Sequence, residues 1–325
     1  MKTFVKYPGG KAKELKIINN NKPPVIKRYF EPFVGGGSVF FDLEISRSFI
    51  NDASRDLIKL YLFIQKHDEK FLNKLCQLNE TWKNLTADNF ASVDFSFISS
   101  NPNINSIFLD YKANETNRKY KKLKKLEGKG VKIETEQIAT TCVKAAFYYT
   151  IRHIYNKEKN DAIVVAIAYY FLREFCYSSM FRFSSTGNFN VPYGGSSYNS
   201  KNFDAKIELI KGYTIEKANI YNEDFGVFLK RFKFNDEDFI FVDPPYDSEF
   251  SDYDGKTFDQ DEQIRLAYQL SQIPAKIMIV IKNTDFIYNL YNDLGFNIKC
   301  FDKKYSVNFY NRNSRDAEHL LITNY

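Results

Sequence analysis

The chain is poor in the residues that hold metals or build covalent nucleophiles. Its 325 residues include four cysteines (Cys76, Cys142, Cys176 and Cys300) and three histidines. The cysteines are scattered, with no C-x-x-C pair, so metal-ligand spacing is missing and reduced, buried thiols are expected. No G-x-S-x-G elbow or similar local signature marks a Ser/His or Cys/His nucleophile pair. The longest apolar runs, "DAIVVAIAYYFL" and "AKIMIVI", are too short to span a bilayer. The N-terminal "MKTFVKYPGGK" contains no apolar h-region, so no secretory leader is expected and a cytoplasmic protein is.

What is present is a soluble globular composition, 44% hydrophobic and 26% charged, in a length that suits one large or two ordinary domains. The net charge is +6, and its distribution matters more than its size. Between Tyr61 and Phe203 there are 20 Lys and Arg against 13 Asp and Glu, or +7, which leaves −1 for the rest. Much of the excess lies in "RKYKKLKKLEGKGVK", residues 118–132, where eight of fifteen residues are basic. Such a run is commonly a solvated face. The functional alternative is a phosphate-facing surface, because displacing counterions with Lys and Arg is a main source of nucleic-acid affinity.

Residues 25–64 read as strand, glycine turn, helix, strand, helix. "VIKRYFEPF" is β-rich, "VGGG" breaks it, and "SVFFDLEI" has helical spacing. "RSFIND" is a second strand, and "ASRDLIKLYLFIQKH" an amphipathic helix with Ser54 as a cap. This opens a doubly wound α/β sheet. Residues 65–183 then read as mainly helical and irregular, with "TEQIATTCVKAAFYYTIRHIYN" and "DAIVVAIAYYFLREFCYSSMF" the clearest helices. A Gly/Ser/Asn-rich loop with interleaved aromatics follows, "FRFSSTGNFNVPYGG". The α/β rhythm returns after Phe203 with "YTIEKANIYNEDF", "DFIFVDPPY", a helix through "DQDEQIRLAYQLSQI", the strand "AKIMIVI" and two final strands. The expected organisation is a discontinuous α/β domain, residues 1–60 and 204–325, split by a basic, mostly helical insertion over 61–203.

Glycines at 35, 36 and 37 sit between a strand and a helix, where a ligand can approach the backbone without meeting a Cβ. Phe40 stands three residues after Gly37, so the G-x-G-x-x-G dinucleotide fingerprint is absent and a pyrophosphate cradle is poorly supported. Asp52 ends the next strand, placed either to bind the ribose hydroxyls of a nucleoside ligand or simply to cap the following helix. In "KYPGGKAKEL" Lys11 can meet a carboxylate and Tyr7 can stack on a planar group, although an exposed basic N-terminus explains the stretch as well. "DFIFVDPPY" ends a buried strand in an acid, two prolines and a tyrosine. Pro244 and Pro245 have fixed backbone angles and no N–H, so Asp243 and Tyr246 project from a stiff corner.

Taken together these motifs resemble the Dam-like N6-adenine DNA methyltransferases (D12 class, alpha group). The resemblance runs through "KYPGGK", "YFEPFVGGGSVFFDL", "IND", "GNFNVPYG", "NEDF", "FVDPPY" and "AEHLLITNY", in the family's order. It implies a Rossmann-like methyltransferase sheet that binds S-adenosyl-L-methionine, and a target-recognition insertion that binds double-stranded DNA. By motif, Tyr7, Lys11, Phe33, Gly35, Gly37, Asp52, Asp224 and Asp243 are implied to bind the cofactor. Asp52 takes the ribose and Asp224 the adenine amino group. Asp243, Pro244, Pro245 and Tyr246 form the implied catalytic loop. Arg182, Phe183, Ser184, Asn188, Asn190 and Tyr193 fall in the implied DNA-contacting loop. There Phe183-Ser184-Ser185-Thr186 departs from the Tyr-Asn and basic residues common in the family, which leaves the recognised sequence unassigned.

Further implications of the resemblance are a restriction–modification setting with a cognate restriction endonuclease but no stable complex, or else Dam-like epigenetic marking, together with a monomer or weak dimer, action on chromosomal or phage DNA, and no metal. RNA- and protein-glutamine-directed relatives more often carry Asn at the position of Asp243, and N4-cytosine enzymes often Ser, so Asp243 favours adenine. A regulator that keeps the fold without catalysis is a further alternative, against which the intact Asp243 and Tyr246 speak.

Overall fold

The computed structural model describes residues 3–127, 135–213, 215–245, 258–304 and 316–325. The chain divides into two compact units. One comprises Met1–Thr3, Gly9–Ile58 and Ile215–Tyr325, the other Phe4–Pro8 and Lys59–Thr214. The strands are β1 (Arg28–Glu31), β2 (Ser48–Asn51), β3 (Asn219–Tyr221), β4 (Asp238–Val242), β5 (Lys276–Lys282), β6 (Asn297–Lys304) and β7 (Asp316–Thr323). The helices begin with α1 (Leu15–Asn21), α2 (Ser38–Leu43), α3 (Arg55–Gln65), α4 (Glu69–Asn84) and α5 (Ile104–Glu127). They continue with α6 (Thr135–Lys157), α7 (Ala162–Phe175), α8 (Asp204–Lys211), α9 (Phe225–Lys230), α10 (Gln260–Ser271) and α11 (Asp285–Asp293).

In the first unit the strands form one sheet in the order β3-β2-β1-β4-β5-β7-β6. Neighbours from β3 to β5 are parallel, and β7 runs antiparallel to both β5 and β6. This is the Rossmann-like class expected from the alternating pattern. A parallel strand covered on both faces reads as an unbroken apolar run, and all five residues of β4 are buried. Phe30, Ile240, Val242, Ile277, Ile279 and Ile322 share one apolar core with Leu266 and Leu270 of α10. Strands β2 and β3 lie to one side of β1, and β4 and β5 to the other, so the sheet changes direction between β1 and β4. Open α/β sheets bind ligands outside the carboxyl ends of their strands at such a switch point.

One buried side chain joins three of those carboxyl ends. Asn51, the last residue of β2 and 1% exposed, donates through Nδ2 to the carbonyls of Pro32 (3.0 Å) and Glu223 (3.0 Å). Its Oδ1 accepts from Glu223 N–H (2.9 Å) and its own carbonyl accepts from Val34 N–H (2.9 Å). The loops after β1, β2 and β3 are thereby fixed together. In "IND" the aspartate is the conspicuous residue, yet it is this asparagine that ties the loops.

The second unit is helical and packs round Trp82, whose ring contacts Phe147, Phe171, Phe175 and Tyr193. Lys144 is buried beside it and donates to the carbonyls of Trp82 (2.9 Å) and Asn199 (2.8 Å). Burial lowers its pKa to about 8. The helix expected to run through Cys176 to Phe181 stops at Phe175, because Ser178 and Ser179 adopt left-handed backbone angles (φ 50° and 59°). Helix α5 carries the first part of the basic run, with Arg118, Lys121, Lys122 and Lys124 exposed. The remainder of that run, from residue 128, lies outside the described residues. No described helix is long and apolar enough to cross a membrane.

Replacing Asn51 with Leu would strand the polar groups of three loops in a buried site. Unsatisfied buried groups cost roughly 1–3 kcal/mol each, so Asn51→Leu should lower stability by on the order of 2 kcal/mol or more. The fall in the urea midpoint of unfolding measures it.

Candidate active site

The first unit gathers its polar side chains at the carboxyl ends of β1, β2, β3 and β4. After β1 the backbone takes positive φ at Gly35 (48°) and Gly37 (74°), angles at which a side chain is strained, and Gly37 leads directly into α2. Gly35 N–H donates to Asp52 Oδ2 (2.9 Å), while Asp52 Oδ1 accepts from Ser54 N–H (2.8 Å). Asp52 thus opens the turn into α3 while its other oxygen faces the glycine loop.

After β3, Asp224 is the N-cap of α9 and accepts from the N–H groups of Gly226 (2.9 Å) and Val227 (3.3 Å). Arg265 of α10 grips the same carboxylate from the other side, Nη1 to Oδ1 at 2.9 Å and Nη2 to Oδ2 at 2.7 Å. This pair holds the Asp224 carboxyl below the usual range. The guanidinium also lies 3.9 Å from the centroid of Phe225, and Phe225, Phe33 and Phe258 form a mutual aromatic cluster. A Cβ on Gly226 would come within 2.5 Å of Arg265 Nη1, so glycine is what lets the guanidinium reach Asp224.

At the end of β4, Asp243 forms an ion pair with Lys11, which also donates to the Gly9 carbonyl (3.1 Å). Lys11 is 2% exposed and Asp243 20%. The carboxylate that Lys11 meets is thus the acid of the D-P-P-Y stretch. Glu31, the last residue of β1, is buried near this pair and accepts from the Tyr29 hydroxyl (2.7 Å). Burial pushes its carboxyl well above the usual range, and the charges of Asp243 and Asp52 push it the same way. Pro244 is buried, and the Pro245 carbonyl accepts from Gln263 Nε2 of α10 (2.9 Å). Tyr246 lies outside the described residues. Among the described residues no cluster of His, Cys, Asp or Glu could hold a metal ion.

The second unit contains Tyr7, whose ring centroid lies 4.5 Å from the guanidinium of the buried Arg173. It also contains the loop "FRFSSTGNFNVPYGG", folded as a narrow two-stranded ribbon. Phe183 and Phe189 pair across it, Ser184 N–H donates to the Asn188 carbonyl (2.8 Å), and Gly187 (φ 74°) makes the turn. Alternate residues face opposite ways along such a ribbon. Phe189 and Val191 are buried, whereas Arg182 and Asn190 are exposed and hydrogen-bonded to each other (3.2 Å); Ser184 and Asn188 are partly exposed near the tip. Tyr193 is only 7% exposed, its ring near Trp82 and its hydroxyl on Asn199 (2.9 Å), so it anchors the base of the ribbon.

Three residues of α6 hold the ribbon by its main chain. Tyr148 donates to the Val191 carbonyl (3.0 Å) and Arg152 to those of Asn190 and Val191 (3.3 Å each). Asn156 donates to the Phe189 carbonyl (3.0 Å) and accepts from its N–H (2.9 Å). Their spacing of four puts them on one helix face. That spacing was available in the sequence, whereas Glu31, Gln263 and Arg265 lie in runs of ordinary strand and helix that give no local sign of a site.

The model of the D12 class N6 adenine-specific DNA methyltransferases matches residues 7–126 and 100–307. The whole chain is 30% identical to the Type II methyltransferase M.MjaIII of Methanocaldococcus jannaschii, over 99% of that protein. It is 27% identical over its full length, and the relative's, to the Type II methyltransferase M.CviBI of Paramecium bursaria Chlorella virus NC1A. With the DNA adenine methylase of Escherichia coli it shares 24% identity, over 87% of this chain and 81% of that one. A sheet switch point with a glycine loop, two strand-end acids and an Asp-Pro-Pro corner accords with these matches, and the chain belongs to the D12 class of N6 adenine-specific DNA methyltransferases.

Proposed function

We propose that S-adenosyl-L-methionine is the methyl donor and that Asp243, held by Lys11 at the end of β4, is the group on which transfer to adenine N6 turns. The donor set of the first unit fits a nucleoside with a charged tail. Asp52 offers a carboxylate to ribose hydroxyls beside the glycine loop, Asp224 one to an adenine amino group, and Phe225 and Phe33 flat faces. When bound, S-adenosylmethionine supplies an activated methyl group, so the chain needs no covalent nucleophile. Tyr7 and Lys11 are assigned to the cofactor's amino-acid end through the "KYPGGK" motif.

Adenine N6 is a weak nucleophile because its lone pair is delocalised into the ring. A carboxylate at Asp243 and the Pro244 carbonyl can accept its two hydrogens and favour the positive charge that develops on nitrogen. Holding nitrogen and methyl in line contributes much of the remaining acceleration. The target atom lies inside a duplex, so the base must leave the stack, and Tyr246 is the proposed aromatic face for it. Supporting this reading is the Lys11–Asp243 ion pair, which holds the carboxylate at a corner stiffened by two prolines.

The second unit is the proposed target-recognition domain. Its exposed ribbon side chains, Arg182, Ser184, Asn188 and Asn190, are the proposed base and backbone contacts, with Phe183 at the pairing position and Tyr193 beneath. Helix α5 is the proposed phosphate-facing surface. Relatives named Type II methyltransferases support a restriction–modification setting with a cognate endonuclease, and those named DNA adenine methylase a free-standing mark. Either would act in the cytoplasm on chromosomal or phage DNA.

Incubation with labelled S-adenosylmethionine and duplex DNA, followed by digestion to nucleosides, should place label in N6-methyladenine. Label confined to N4-methylcytosine, RNA or protein would overturn the reading. Asp243→Ala should lower kcat by about 10²–10³-fold or more while the protein stays folded; near-normal turnover would remove Asp243 from the mechanism. Exchanging Lys121, Lys122 and Lys124 for Gln should weaken DNA binding and flatten its dependence on salt, and an unchanged slope would return α5 to a solvated face. Glu31 makes stability depend on pH. Unfolded, it ionises near its ordinary 4.5; folded, it keeps its proton to higher pH. The folded state therefore binds more protons in that window, and this contribution to stability falls as pH rises above 4.5. Glu31→Gln should flatten the decline in unfolding midpoints as pH rises above 4.5.

A further inference from the structure

Two consecutive prolines leave the segment after β4 with no backbone N–H of its own at either position. Only its carbonyls can be fastened, and any donor must come from elsewhere in the fold. The Pro244 carbonyl, the one the chemistry needs, accepts no hydrogen bond among the described residues. The next carbonyl, that of Pro245, is taken by Gln263 Nε2 at 2.9 Å.

Gln263 is an odd residue for its position. It lies in the first turn of α10 on the stripe that continues through Leu266, Ala267 and Leu270, and all four are fully buried. Packing alone asks for an apolar side chain there. The amide instead brings a polar group into the core, and its Oε1 has no hydrogen-bond partner among the described residues. Burying an amide with one bond made and one acceptor unpaired is unfavourable by itself. What the arrangement achieves is to fix the peptide plane after Pro245. With both proline φ angles set by their rings, that leaves little freedom between Val242 and the end of the corner.

The same helix reaches the other strand-end acid. Two residues on, Arg265 grips Asp224, and Gln269 donates to the Gly226 carbonyl (2.9 Å). Thus α10 braces the loop after β3 and the corner after β4 together, so a shift of this helix would move both.

We infer that Gln263 is a positioning residue for methyl transfer: by holding the Pro245 carbonyl it orients the Pro244 carbonyl and the Asp243 carboxylate toward the adenine amino group. It touches no reacting atom. The inference rests on the role proposed above for Asp243 and Pro244.

The test compares the full-length protein with Gln263→Leu and Gln263→Glu in steady-state methylation of duplex DNA. Gln263→Leu removes the donor and satisfies the packing, so its melting temperature should equal or exceed that of the wild type. Its kcat should fall by on the order of 10–100-fold, the scale of a small misplacement of reacting groups, with KM for S-adenosylmethionine unchanged. Gln263→Glu offers a donor to the Pro245 carbonyl only when protonated. Its kcat relative to wild type should therefore recover as pH is lowered from about 8 to 5.5, a response that lost packing would not give. A folded Gln263→Leu protein with kcat within twofold of wild type overturns the positioning role, as does a Gln263→Glu profile parallel to wild type. Absence of any methyl transfer by the wild-type protein would instead overturn the reading on which the inference rests.

Discussion

The buried amide of Asn51 is the constraint on which the arrangement of the site depends. Parallel strands deliver their carboxyl ends to one edge of a sheet, but nothing in a strand's own hydrogen bonds determines how the loops beyond that edge sit relative to each other. Asn51 supplies this by bonding to Pro32 and Glu223 at once while its carbonyl takes the Val34 N–H. The glycine loop, Asp52 and Asp224 are thus referred to a single side chain in the sheet. Helix α10 adds a second reference from outside, through Gln263, Arg265 and Gln269.

Charge is the next constraint. Asp243 and Asp52 both act electrostatically on Glu31, and Lys11 is ion-paired with Asp243. Were all three acids ionised, the cluster would carry a surplus of negative charge in a poorly hydrated place, where such repulsion is expensive. Burial favours the neutral form of Glu31, which lessens that repulsion deep in the sheet. Glu31 is 2% exposed, whereas Asp243 retains 20%.

Much of this was legible in the sequence, for identifiable reasons. Strands β4 and β5 announce themselves because buried parallel strands are nearly continuous apolar runs, and the motifs at the ends of β1, β2 and β4 follow the order of a known family. Gly35, Gly37, Asp52, Asp224 and Asp243 could be singled out because glycines and acids at strand ends are chemically conspicuous. Asn51, Glu31 and Gln263 could not, because their importance lies in partners that are remote in sequence: Gln263 meets Pro245 eighteen residues away and Asn51 meets Glu223 at a distance of 172. The short helices α1, α8, α9 and α11, of six to nine residues, also carry little periodic signal; α2, equally short, is marked by the glycine turn before it. Apolar residues continue past Phe175, so the sequence gives no sign that α7 stops there; the backbone turns at Ser178 and Ser179.

The ribbon in the second unit is gripped by Tyr148, Arg152 and Asn156 through its peptide groups. Its tip is tied by side chains as well, through Ser184 Oγ, which accepts from the Asn188 N–H (3.2 Å), and through Thr186, to which Asn188 Nδ2 donates (3.2 Å). The grip of α6, by contrast, asks nothing of the side chains at 182, 184, 188 and 190. A surface built this way can exchange its outward side chains while the helix beneath keeps the same hold on the backbone.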